Sequence, residues 1–210
     1  MAKYITEFIG TFFLVLVVAL TGNALAIGAT LMVMIFAGGH ISGAHYNPAV
    51  TLAVLVRGKI PVRDAVAYMI VQIIGAAVAA LLATWYLADT NIVTVNLDGR
   101  IAKAFSGELL GTFSLAYVVL NVATSKGTTG NSFYGLAIGF TVFAMASAFG
   151  SISGGAFNPA VAIGATIVKL FALKNIWIYL VACFGGGLLA GLVFNYVNVE
   201  DKPVPPLPRA

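Results

Sequence analysis

Few residues in this chain could do chemistry. Two glutamates, Glu7 and Glu108, sit inside long apolar runs, and two histidines, His40 and His45, lie five positions apart. The histidines have no cysteine, aspartate or supporting carboxylate nearby, so they do not read as a metal site. The sequence offers no nucleophile paired with a base and no phosphate loop, so neither an enzyme nor a cofactor is expected. The single cysteine, Cys183, excludes an internal disulfide and reads as a small buried hydrophobe. The chain does carry a duplicated physical device, Asn47-Pro48-Ala49 and Asn158-Pro159-Ala160. Asparagine caps a helix and proline suits its first position, so each pair reads as a helix start.

The elements that must hold these residues are membrane spans. Of 210 residues, 60% are apolar and 9% charged, and the mean hydropathy is +1.01, which places the chain in a bilayer. A span needs about 20 mostly apolar residues. Six are expected, at Tyr4–Leu20, Ala24–Gly39, Val62–Leu87, Phe105–Thr124, Phe133–Gly150 and Ile176–Val197. The first carries Glu7 and lacks a small-residue cleavage site, so it reads as a retained helix and not a leader.

Lys3, Arg57, Lys59, Arg63, Lys126, Lys202 and Arg209 fall on the side of the termini, against Arg100, Lys103, Lys169 and Lys174 opposite. The positive-inside rule then puts both ends in the cytoplasm, and the short termini and short first loop suit a plasma (inner) membrane. The net charge of +4 is thus topological, and no basic cluster with aromatics points to nucleic acid. Trp85, Tyr86, Trp177 and Tyr179 near span ends suit an aromatic belt, and small-xxx-small spacings such as Gly107 and Gly111 suit close helix packing.

The chain is written twice. Thr6-Glu7-Phe8-Ile9-Gly10-Thr11-Phe12 is echoed 101 residues later by Gly107-Glu108-Leu109-Leu110-Gly111-Thr112-Phe113, and Ile41–Val50 is echoed 111 residues later by Ile152–Val161. Three spans per half invert the second copy, so the expected fold is all-α, with six transmembrane helices and two re-entrant half-helices in an inverted 3+3 repeat. One channel-like domain over 1–210 is expected, with repeats at about 1–87 and 104–198, a polar connector Ala88–Lys103 and a tail at 199–210. The apolar runs after the two motifs, to about Val56 and Val168, reach roughly 14 Å, or half a bilayer. Each must fold in as a half-helix with its leading loop buried or lining a water-filled cavity. Two opposed N-termini, each carrying about half a positive charge, disfavour cations where they meet, while the asparagine amides donate to a passing oxygen.

Two such motifs, each behind a glycine-containing loop and paired with an upstream Glu-x-x-Gly-Thr, resemble the aquaporin or major intrinsic protein family across nearly the whole chain. The resemblance implies a passive channel for water and small neutral solutes, assembled as a homotetramer in the lipid bilayer. It also implies a filter of four side chains, which spacing from the two asparagines and the likeness of Leu136-Ala137-Ile138-Gly139 to family segments place at Ile27, Ala146, Gly155 and Val161. Water-selective members usually have histidine and arginine where this chain has Ala146 and Val161, and glycerol-conducting members follow that arginine with aspartate, where this chain reads Val161-Ala162. A broader pore is expected, passing ammonia, hydrogen peroxide, urea or glycerol besides water. By resemblance His45 supports the first re-entrant loop and His40 faces the vestibule or gates it. Matched places in the repeat suggest that Glu7 and Glu108 accept hydrogen bonds from the buried loops, while Gln72 is expected to bond to a neighbouring helix or loop.

A secondary transporter stays open as the rival, since inverted repeats with broken helices occur there too, and Glu7 and Glu108 would have to carry the coupled ion. An ion channel is conceivable without the arginine, yet no ring of acids marks a cation path.

Overall fold

The computed structural model describes residues 1–199. The expected tail beyond Val199, with Lys202 and Arg209, lies outside the described residues. Eight α-helices are described: α1 Ala2–Thr21, α2 Ala24–Ser42, α3 Pro48–Val56, α4 Val62–Tyr86, α5 Ile101–Thr124, α6 Tyr134–Ser153, α7 Pro159–Ile167 and α8 Ile176–Val197. All but α3 and α7 are long and apolar enough to cross a membrane. At nine residues each, α3 and α7 reach only about 13.5 Å.

The helices pack as two interleaved copies of one motif. Where α1 lies against α2 and α4, α5 lies against α6 and α8; where α3 packs on α8, α4 and α5, α7 packs on α4, α8 and α1. The α2–α6 and α3–α7 contacts map onto themselves, so the pseudo-twofold axis runs through both. Backbone approach at the α2–α6 crossing is close enough to demand glycine. A Cβ on Gly28 would stand 2.6 Å from the Gly139 carbonyl, and one on Gly139 2.5 Å from the Gly28 carbonyl.

Two expectations change. The connector does not extend to Lys103, because α5 already begins at Ile101. It is also tied down: the Val95 amide donates to the Leu170 carbonyl at 2.8 Å, the Thr94 hydroxyl donates to the Lys169 carbonyl at 2.8 Å, and Leu97 is buried. Tyr179 does not join an interfacial belt. It is buried, and its hydroxyl donates to the Ser153 carbonyl at 2.5 Å, while Trp85, Tyr86 and Trp177 are exposed.

Candidate functional site

The two half-helices meet through their capping asparagines. Asn47 and Asn158 are extended, with φ of −157° and −159°. Each Oδ1 accepts from the first free amides of its own helix: Ala49 at 2.8 Å and Val50 at 3.4 Å, Ala160 at 2.9 Å and Val161 at 3.5 Å. Each Nδ2 crosses to the opposite loop, Asn47 donating to the Phe157 carbonyl at 2.9 Å and Asn158 to the Tyr46 carbonyl at 2.9 Å. An amide nitrogen carries two protons. One locks the two halves together, and the other is left for whatever passes.

The loops leading to the asparagines are strained. Ala44, Tyr46 and Phe157 hold φ values of 51°, 48° and 46°, a left-handed conformation that costs a non-glycine residue roughly 1–2 kcal/mol. The two glutamates hold the strained backbone in place. Glu7 accepts from the Ser42 hydroxyl at 2.7 Å, the His45 and Tyr46 amides at 2.9 and 2.7 Å, and Gln72 Nε2 at 2.8 Å. Glu108 accepts from the Ser153 hydroxyl at 2.6 Å and the Ala156 and Phe157 amides at 3.0 and 2.7 Å. The Cys183 thiol donates to it at 3.7 Å, so Cys183 occupies the place of Gln72 in the second repeat and is more than the apolar filler expected. Four donors aimed at two oxygens form an arrangement that carboxylate lone pairs satisfy.

The glycine of Glu-x-x-Gly-Thr now has a reason. One turn beyond each glutamate the helix must let an aromatic ring through: a Cβ on Gly10 would overlap the Tyr46 ring, and one on Gly111 the Phe157 ring. Both rings are essentially inaccessible. Gly111→Val overpacks this contact, which costs about 1–3 kcal/mol. Its thermal midpoint in detergent should fall by at least about 2 °C; an unchanged midpoint would contradict the packing.

The repeats differ behind the first loop. The Thr51 hydroxyl donates its one proton to the Asn47 carbonyl at 3.0 Å and accepts from Gln72 Nε2 at 3.0 Å. His45 Nδ1 lies 3.1 Å from the same oxygen. Only a lone pair is left for it, so Nδ1 carries the proton and Nε2 is the acceptor. The corresponding residues of the second repeat, Ala156 and Ala162, have no polar group on the side chain.

A narrow passage of about 30 Å³ runs along the axis, and both asparagines line it. Its walls are apolar, with Leu14, Val18, Leu115 and Val119 paired across the repeats, and no charged side chain lines it among the described residues. Next to it, where α1 begins and α5 ends, lies a vestibule of about 390 Å³ lined by Lys3, Lys59, Asp64 and Tyr68. His45 lines both spaces and so marks the junction. Lys3 and Tyr4 hold Asp64 at 2.6 Å each, pinning α1 to α4 at the vestibule rim.

Of the four expected filter residues, Ile27, Gly155 and Val161 line the passage. Ala146 is half-buried on α6 and does not reach that lining. His40 is exposed and lines a separate recess of about 370 Å³ beside the α5–α6 loop. Glu7, Glu108 and Gln72 are fully buried behind the loops and do not line the passage.

Known proteins share this architecture. The family model described as Major intrinsic protein matches residues 1–194. Aquaporin NIP1-1 of Arabidopsis thaliana is 37% identical over 225 residues, covering 96% of this chain and 75% of that protein. A glycerol uptake facilitator protein-like 6 of Lactiplantibacillus plantarum is 37% identical over 218 residues, covering 96% of this chain and all 100% of that protein. Among solved structures, the aquaglyceroporin from Plasmodium falciparum superposes with a TM-score of 0.81 at 23% identity, covering 93% of this chain and 96% of that one.

Proposed function

The chain belongs to the major intrinsic protein family, and from that premise we propose that the axial passage conducts water and small neutral solutes, with Asn47 and Asn158 as its central station. The protein is an integral membrane protein and a passive channel. The observation that carries the reading is the meeting of two half-helix N-termini, each with a spare amide proton, in a passage without charged walls. A neutral oxygen gains a donor there, while a cation meets two positive helix ends and no counter-charge.

Ile27, Gly155 and Val161, with Ala146 set back behind them on α6, form the outer opening. Their small or apolar side chains suit ammonia, hydrogen peroxide, urea and glycerol as well as water. Both termini face the cytoplasm in a plasma membrane, a reading supported by the gathering of Lys3, Arg57, Lys59 and Arg63 on the side where α1 begins. Family membership supports a homotetramer with one pore per subunit. Transport involves no chemistry and no coupled ion, since the four acceptor positions of Glu7 and of Glu108 are taken by two loop amides, a helix-end serine and Gln72 or Cys183, and neither residue lines the passage.

Stopped-flow light scattering on proteoliposomes tests the outer opening. The native chain should pass glycerol and urea besides water, and Val161→Arg combined with Ala146→His should restrict it to water. Native flux limited to water alone would remove these four residues from the role.

A further inference from the structure

We propose that the size limit of this pore is set not at the outer opening but at its mirror image toward the vestibule, a ring of Ile35, Ala44, Val50 and Ile138. The inference rests on the channel reading above. An offset of 111 residues carries Ile27 onto Ile138, Ile35 onto Ala146, Ala44 onto Gly155 and Val50 onto Val161. The pseudo-twofold axis therefore builds two rings on one plan, about 12 Å apart along α2 for the eight residues separating Ile27 from Ile35.

The rings differ in bulk. Both carry one isoleucine and one valine at matched places, but the inner ring has Ala44 against Gly155 and Ile35 against Ala146. All four inner residues line the passage, whereas Ala146 does not. The inner four are also closed off, with exposures of 2%, 7%, 2% and 4% for Ile35, Ala44, Val50 and Ile138. In the outer ring only Val161 is buried; the other three are half-exposed.

The inner ring cannot widen cheaply. Ile35, Val50 and Ile138 are β-branched residues within helices, where essentially one rotamer is open to them. The α2–α6 crossing at Gly28 and Gly139 fixes the two isoleucines relative to each other. The Ala44 amide donates to the Ser42 hydroxyl at 3.0 Å, and that hydroxyl is held by Glu7. A solute leaving the asparagines must therefore cross a rigid apolar collar before His45 offers it an acceptor. This arrangement passes slender neutral molecules and penalises branched or strongly hydrated ones.

The test is a solute series of water, urea, glycerol and erythritol in proteoliposomes carrying full-length Ile35→Ala, Ile138→Ala, Ala146→Ile, and Ile35→Ala with Ala146→Ile. Ile35→Ala should raise flux of the largest solutes on the order of tenfold relative to water, and Ala146→Ile added to it should reverse the gain. If Ile35→Ala fails to fold, Ile138→Ala must show the same relative gain. A solute order unmoved in both alanine variants, with Ala146→Ile alone lowering the cut-off, would overturn the proposal and return the limit to the outer opening. Native protein that carries no water above empty vesicles would instead bring down the channel reading itself, a distinguishable result.

Discussion

Replacing Glu7 by leucine should leave no folded channel to assay. The carboxylate is the acceptor for the Ser42 hydroxyl, the His45 and Tyr46 amides and Gln72 Nε2, and all four would be orphaned in an interior closed to water. Each orphaned donor costs about 1–3 kcal/mol, so the loss is at least about 4 kcal/mol. The left-handed Ala44 and Tyr46 would also lose the contacts that hold them. Glu7→Gln has nearly the same shape but turns one acceptor oxygen into a donor facing two donors, a loss of roughly 2–6 kcal/mol on the same scale. Both variants should melt well below the native chain in detergent, and Glu108→Gln should follow them because its partners match. A Glu7→Gln protein that melts like the native one yet carries no solute would speak for a proton relay in its place.

The pair Asn47→Asp with Asn158→Asp should open a leak for cations. Aspartate caps a helix as well as asparagine does, so the bonds to Ala49, Val50, Ala160 and Val161 can persist. The amide protons do not persist, and each new carboxylate faces the carbonyl of Phe157 or Tyr46 that asparagine had satisfied. Fixed negative charge would then sit where the two helix ends had repelled cations. A unit charge about 4 Å away is worth about 4 kcal/mol at an effective dielectric near 20, enough for a rise in sodium or proton conductance on the order of 100-fold. The check is conductance in planar bilayers beside osmotic water flux from the same preparation. Conductance at the level of bare lipid, from a variant that still passes water, would mean that the helix ends do not supply the barrier.

Much of this arrangement is legible in the sequence because its signals are local. Asparagine, proline and a short apolar run locate α3 and α7, and the repeat offsets with three spans per half imply the inverted halves. The aromatic wedges are harder to foresee. Tyr46 and Phe157 look like ordinary apolar residues before an Asn-Pro pair, and only the coincidence of an aromatic there with a glycine one turn after each glutamate hints that ring and helix must touch. Cys183 misleads because its type reads as hydrophobe, although the 111-residue offset aligns it with Gln72. The bridge between Val95 and Phe171 depends on two loops meeting across the mouth, which no pattern within either loop encodes. The inner ring is spread over α2, its following loop, α3 and α6, and only the axis relating the repeats brings its four members into register.

One experiment bears on the whole account: osmotic water flux and dissipation of a pH gradient, followed in the same proteoliposomes over a range of native protein content. Water permeability should climb with protein content while proton leak stays at the level of protein-free vesicles. Proton leak that climbs in step with protein content, or water permeability that never leaves the lipid baseline, would contradict it.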